Sequence, residues 1–213
     1  MYPLLETIRF EDGRAMLWSY HIERLQRSCQ ALWGIPPSFD PVSDIRIPDD
    51  CSAGVWKCRL QYNATEFVVD WTAYEIRIIK RLILRDSGGL DYRLKYSDRS
   101  GLDQFAQGLA AEEEILFVQD ERITDTRYTN VALYNGTSWI TPEMPMLQGT
   151  RRQELLDMKI IQPGKVILSD LRLSCESATG PYYKVRLFNA MIPWTESIEL
   201  SIDCIQLNID NDA

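Results

Sequence analysis

At 213 residues the chain is long enough to bury a core in one large domain or two smaller ones. Its 45% hydrophobic and 25% charged content is that of an ordinary soluble globular protein. The net charge of −8 argues against a general nucleic-acid surface, which needs a basic face, and leaves room only for locally clustered arginines as anion binders.

The chain has five cysteines, Cys29, Cys51, Cys58, Cys175 and Cys204, with no CxxC among them. An odd, unpatterned set favours reduced thiols in a cytoplasm over a disulfide framework. Met1-Tyr-Pro-Leu-Leu-Glu6 lacks the basic and apolar regions of a signal peptide, and no stretch has the apolar length of a membrane span.

In chain order, residues 3–10 and Ala15-Met-Leu-Trp18 read as a β-hairpin around the Asp12-Gly13 turn. From Ser19, a plausible cap, the apolar positions Ile22, Leu25, Cys29 and Leu32-Trp33 recur at helical spacing until Gly34-Ile-Pro-Pro37 stops the helix. Residues 38–50 read as a loop with room for one helical turn. Alternating polarity over 54–62, 66–71 and 74–84 predicts three adjacent strands of an antiparallel sheet. Asp86-Ser-Gly-Gly-Leu90 is a flexible stretch, and the expected domains are 1–86 and 87–213.

Beyond it, residues 100–111 read as helix, and 114–119, 122–124, 131–134 and 139–141 as short strands, two of them joined at Asn135-Gly136. A helix is expected over 151–158, a strand at 166–168, a short helix over 169–174, a strand at 184–189 and alternating polarity over 198–207. The fold class is α+β.

The sequence has no GxGxxG, Walker loop, HExxH or GxSxG motif, and its single histidine, His21, nearly excludes the usual zinc sites. What remains is a set in a telling order. Lys95 could hold an aldehyde, Asp125 could face a ring nitrogen, and Gly149-Thr150-Arg151-Arg152 opens a helix where a phosphate could sit. Pyridoxal 5′-phosphate needs all three.

The chain resembles the fold-type IV pyridoxal-phosphate enzymes, the group of branched-chain aminotransferase, D-amino acid aminotransferase and aminodeoxychorismate lyase. Short motifs spread over nearly the whole chain carry the resemblance: Leu5-Glu-Thr-Ile-Arg-Phe-Glu-Asp-Gly13, His21-Ile-Glu-Arg24-Leu25, Tyr92-Arg-Leu-Lys95-Tyr-Ser-Asp-Arg99, Ile123-Thr-Asp125 through Asn130, Thr141-Pro142, Leu147-Gln-Gly149-Thr150-Arg-Arg152 and Phe188-Asn189-Ala190-Met191. The look is closest to small lyase-like members.

The resemblance implies a two-domain fold, an N-terminal α/β sandwich and a C-terminal mixed-sheet pseudo-barrel. It implies that Lys95 forms the Schiff base and serves as general base, and that Asp125 stands where the family carries a glutamate. Arg24, Gly149, Thr150, Arg151, Asn189 and Ala190 would hold the phosphate. The family commonly has threonine where Arg151 stands, and Thr150 with Gln153 also fits a capping box. Asn130 would shape the turn that aims Asp125. His21 reads as structural, Trp194 as the tryptophan nearest the site, and Arg59, Arg77 and Arg99 as possible partners of a substrate carboxylate.

The implied activity is a lyase like aminodeoxychorismate lyase. The alternatives are a class IV aminotransferase and a non-catalytic binding homologue. A homodimer acting on an anionic amino substrate, with no nucleic-acid or membrane partner, is implied with it.

Overall fold

The structure is a computed structural model and describes residues 2–177 and 179–207. The chain folds as two compact units, Met1–Ile76 with Leu94–Asp98, and Arg77–Arg93 with Arg99–Ala213. The boundary expected after Asp86 is displaced, and Lys95, expected in the second domain, belongs to the first unit. Backbone pairing is the reason. The Leu5 N–H donates to the Lys95 carbonyl at 2.9 Å, and Leu4 bridges Tyr96, so the lysine segment lies along the N-terminal strand.

In the first unit, β1 (Leu4–Glu11) turns into β2 (Arg14–Ala15) through Asp12 and Gly13, with φ of 48° and 74°. An Asp-Gly pair tolerates two such residues in succession, which gives the turn the twist a hairpin needs. β3 (Val55–Tyr62) and β4 (Phe67–Ala73) complete an antiparallel sheet in the order β2-β1-β3-β4. α1 (Trp18–Trp33) packs on the face carrying Leu4, Ile8 and Phe10, burying Leu25 and Cys29 against Cys58, Leu60 and Tyr62.

Ser19 does not cap α1. Leu17, at φ 57°, stands at the N-cap without a side-chain bond, and Gly34 at φ 73° ends the helix by donating to the Gln30 carbonyl. The one helical turn in the following loop, α2 (Pro41–Asp44), is capped by Asp40, whose side chain accepts from the Val42 N–H.

The third strand expected in this sheet is absent from it. Residues 74–80 carry no strand, and β5 (Arg81–Asp86) lies in the second unit, parallel to β6 (Glu113–Gln119). Leu82, Ile83 and Leu84 are all buried, so this strand is covered on both faces, as parallel strands usually are.

Only α3 (Ser100–Asp103) and a 3-10 turn form in the expected 100–111 helix. Next come β7 (Arg122–Thr126), β8 (Asn130–Tyr134), β9 (Trp139–Pro142), α4 (Thr150–Asp157) and β10 (Ile161–Gly164). α5 (Leu168–Glu176), β11 (Lys184–Phe188), β12 (Ile198–Ser201) and β13 (Ile205–Gln206) follow. Position 167 makes only an isolated bridge to Arg122, so no strand forms at 166–168.

Two sheets result, β10-β9-β8-β11-β12 and β13-β5-β6-β7. Leu82, Leu84, Leu116, Val118 and Ile123 from one meet Val131, Leu133, Val185 and Leu187 from the other in a shared core that α5 joins through Leu171. α4 covers the opposite face of the five-stranded sheet, where Leu155 packs with Ala132, Ile161 and Phe188. No helix among the described residues is long and apolar enough to cross a membrane.

Candidate active site

In the first unit the chemistry gathers on Glu6, a carboxylate inside the apolar strand β1 and only 1% exposed. Its Oε1 accepts from Arg24 Nε at 2.8 Å, and its Oε2 accepts from Arg24 Nη2 at 2.5 Å and lies 2.6 Å from His21 Nδ1. His21 and Arg24 stand three apart on α1, hence on one helix face. Burial alone would raise the Glu6 pKa, but the Arg24 charge and the bonds from Arg24 and His21 override it, bringing the carboxyl down to about 2.

Glu6 is therefore ionised, and His21 must carry its proton on Nδ1. Burial, helped by the charges of Arg24 and Lys95, holds the His21 pKa below its usual value despite Glu6. The ring is thus neutral, and its Nε2 is a buried acceptor with no partner among the described residues. Lys95 belongs to the same electrostatic neighbourhood. Its backbone is fixed at the edge of β1 by the Leu5 bond, and Ser97 Oγ donates to the Leu4 carbonyl at 2.9 Å.

In the second unit, Asp125 lies near the end of β7, 4% exposed. Its Oδ1 accepts from Asn130 Nδ2 and its Oδ2 from the Leu147 N–H, both at 2.9 Å. Burial raises its pKa to about 6, although the Leu147 and Met146 N–H groups, Asn130 and the Arg152 charge all pull the other way. The turn between Asp125 and Asn130 is tied by Thr126, whose N–H donates to the Thr129 carbonyl and whose Oγ1 accepts from the Tyr128 and Thr129 N–H groups.

The expected capping box at α4 does not form. Gly149 is the N-cap and makes no side-chain cap bond, its carbonyl accepts from the Gln153 N–H, and the Gln153 side chain donates to Asp157 instead. Thr150 Oγ1 is left buried without a partner among the described residues, as is Arg151 Nε, although Arg151 Nη1 pairs with Glu154. Arg152 is a structural clamp: Nε donates to Thr141 Oγ1, Nη1 to Gln148 and Nη2 to the Pro142 carbonyl.

The side chain of Asn189 is committed to its own loop and to the turn between β7 and β8. Nδ2 donates to the Tyr128 carbonyl, and Oδ1 accepts from the Met191 and Ile192 N–H groups. This leaves the backbone around Ala190 as the part of the loop that could meet a ligand.

Of the three arginines considered for a substrate, Arg77 is bound to Glu114 and to the Ala111 and Glu113 carbonyls. Arg59 is half-buried on β3 opposite Thr7. Arg99 bonds to neutral acceptors, the Tyr92 hydroxyl and the Arg127 carbonyl, stacks on the Tyr128 ring at 4.4 Å and keeps Asp103 no nearer than 4.0 Å. Trp194 packs on Phe188 and Trp139 and under the Arg186 guanidinium.

Of the expected site residues, Arg24 and Lys95 lie in the first unit, where both charges act on His21, and Asp125, Gly149, Thr150, Arg151, Asn189 and Ala190 lie in the second, where Asn130 links Asp125 to Gly149. Two buried charged neighbours, Glu6 and Arg152, stood inside the quoted motifs but were not singled out as site residues. Each had a signal: a charge inside the apolar run Leu4-Leu5-Glu6-Thr7-Ile8, and a second arginine beside Arg151. Buried charges require partners, and that requirement could have flagged both.

The model of the family described as amino-transferase class IV matches residues 3–46. An uncharacterized protein of Haemophilus influenzae (strain ATCC 51907 / DSM 11121 / KW20 / Rd) is 30% identical over 173 residues, 80% of this chain and 92% of the relative. A crystal structure from Haemophilus somnus 129pt, provisionally designated a 4-amino-4-deoxychorismate lyase, matches with a TM-score of 0.77 and 28% identity, over 91% of this chain and 98% of its own. The PLP-bound form of a hypothetical aminotransferase from Mycobacterium tuberculosis matches with a TM-score of 0.65 over 93% of this chain and 79% of its own; at 18% identity that likeness concerns the fold alone. The chain belongs to the class IV aminotransferase family and has its fold-type IV architecture.

Proposed function

We propose that this protein is a pyridoxal-phosphate-dependent lyase that converts 4-amino-4-deoxychorismate into 4-aminobenzoate and pyruvate, a step towards folate. The observation that carries the cofactor reading is the pair of partnerless buried polar atoms at the start of α4, Thr150 Oγ1 and Arg151 Nε. A buried hydroxyl and a buried guanidinium N–H each cost free energy unless something bonds to them. A phosphate at a helix N-terminus would satisfy both. The choice of lyase is supported by the full-length likeness to the Haemophilus somnus structure.

Arg24, Gly149, Thr150, Arg151 and the backbone of the Asn189-Ala190 loop would hold the phosphate, and Asp125 would keep a proton on the ring nitrogen. Asp125 is one methylene shorter than the family's glutamate, and Asn130 and Leu147 draw its carboxylate onto their own donors. Pyridoxal phosphate, when bound, supplies an electron-withdrawing ring that acidifies the carbon next to the substrate amine.

Lys95 would be the residue that holds the cofactor's aldehyde carbon, and its amine would take the proton from the substrate carbon bearing the amino group. The ether bond from the neighbouring ring carbon to the enolpyruvyl oxygen then breaks and the ring becomes aromatic. The departing enolpyruvate takes a proton at its methylene carbon and becomes pyruvate. Atoms balance without an added reactant. Arg99 would receive a substrate carboxylate, since its short bonds go to neutral acceptors and its ion pair with the exposed Asp103 is a long one, at 4.0 Å. A cytoplasmic homodimer completes the proposal.

A second reading, an aminotransferase moving an amino group to a 2-oxo acid, is favoured by one observation. Lys95 and Asp125 serve proton removal equally in both reactions, and the matching family model is that of the transferases.

The test is an absorbance spectrum with pyridoxal phosphate before and after borohydride, beside Lys95→Ala. A visible band that reduction fixes on Lys95 supports the cofactor reading, and a band unchanged in Lys95→Ala sinks it. Release of 4-aminobenzoate from 4-amino-4-deoxychorismate then separates lyase from transferase, which would instead turn over an amino acid and a 2-oxo acid.

A further inference from the structure

Asn130 opens β8 and is buried. Its carboxamide nitrogen donates to Asp125 Oδ1 at 2.9 Å and to the Leu147 carbonyl at 3.0 Å, while the Leu147 N–H returns to Asp125 Oδ2 at 2.9 Å. Three chain segments are thereby closed into one hydrogen-bonded ring. The carboxamide oxygen faces Gly149, where an added Cβ would lie 1.9 Å from Asn130 Oδ1 and 3.0 Å from its Cγ.

Gly149 has φ −70° and ψ 143°, a conformation open to any residue. Its missing side chain is therefore demanded by space and not by the backbone. Asn130 is what occupies that space.

We propose that Asn130 is the positioning residue of this site, seated in the room that Gly149 leaves, and that it couples the residue before the first turn of α4, where a phosphate would sit, to the Asp125 carboxylate, which would face a ring nitrogen. Its importance for turnover rests on the function proposed above, but the coupling is a property of the protein without cofactor. The phosphate-side loop and the ring-side carboxylate are then set together: a change at Gly149 reaches Asp125 without touching it.

The bond from Asn130 favours the ionised form of Asp125, so losing it raises the carboxyl midpoint above its value of about 6. Among the described residues Arg152 is the charged group acting on Asp125, and the Met146 and Leu147 N–H groups are its other donors.

The experiment is a carbon-13 titration of the Asp125 carboxyl in cofactor-free protein, its signal assigned by its loss in Asp125→Asn. Asn130→Ala should move the midpoint up by about one pH unit. Gly149→Ala should move it in the same direction, and the double variant should go no further than Asn130→Ala alone. If Gly149→Ala does not fold, the double variant, which removes the clashing atoms, should restore folding.

A folded Gly149→Ala with an unmoved midpoint, strictly additive effects, or no rescue of a misfolded Gly149→Ala by Asn130→Ala would each overturn the coupling. Borohydride trapping on Lys95 is scored separately. Trapping with an unmoved titration rejects this inference alone, and a shifted titration without trapping rejects the proposed function alone.

Discussion

Replacing Glu6 by glutamine keeps the shape of the side chain and removes the charge that Arg24 and the neutral His21 ring share. The displacement of its carboxyl from 4.5 to about 2 corresponds to ~3 kcal/mol of stability at neutral pH. That agrees with the ~3–5 kcal/mol typical of removing one charge of a buried ion pair, here the one between Glu6 and Arg24. In a chain of this size such a loss lowers the melting temperature by about 6–12 °C.

The sign of the pH dependence follows from the depressed pKa. The contribution of Glu6 is complete above pH 4.5 and is lost as pH falls towards 2. Thermal melts of the wild type and Glu6→Gln at pH 7 and pH 3.5 should therefore show a wide gap that narrows in acid. A gap under about 2 °C at pH 7, or one equal at both pH values, would refute the reasoning.

Other perturbations follow from the same structure. Leu155→Ala, at a site 1% exposed between Ala132, Ile161 and Phe188, should cost ~2–5 kcal/mol in urea denaturation, and a loss below about 1 kcal/mol would mean α4 is not packed there. Gly34→Ala, which places a Cβ at φ 73° with nothing else in the way, should cost ~1 kcal/mol in the same assay. The thiols of Cys29 and Cys58, raised by burial to about 11 and about 12, should resist iodoacetamide at pH 8 in the folded protein and react once it is unfolded; mass spectrometry of the alkylated peptides checks this.

What was legible in the sequence was written locally. Asp12-Gly13 and Asn135-Gly136 mark their turns because few other pairs accept the required backbone, and Gly136 indeed sits at φ 94°. The short strands from β6 to β9 follow from alternation and turn residues. Residues 74–84 misled for the opposite reason. Their alternation is the same on paper for an antiparallel edge strand and for the approach to a buried parallel strand, and only the partner β6, far along the chain, decides between them.

The site divides the same way. Lys95, Asp125 and Thr150 could be singled out because motif order carries them. Glu6 could not be tied to Arg24, because nothing at a spacing of 18 residues announces a hydrogen bond. The capping box failed at Thr150 because the helix begins one residue earlier than that pattern assumes, with Gly149 as its cap. Lys95 was assigned to the wrong unit because a short excursion back to β1 leaves no compositional trace.

That excursion bears on how the protein is made. Until Leu94–Asp98 emerge from the ribosome, the backbone groups at the start of β1, the Leu5 N–H and the Pro3 carbonyl, lack the partners they have in the folded chain. A fragment ending at Ile76 would leave that end of the edge unpaired permanently, a place where a second copy could add a strand. The lysine on which the proposed chemistry depends rides on the segment that closes the edge. Synthesis of the proposed catalytic lysine and closure of that end of β1 are therefore the same event in the life of the chain.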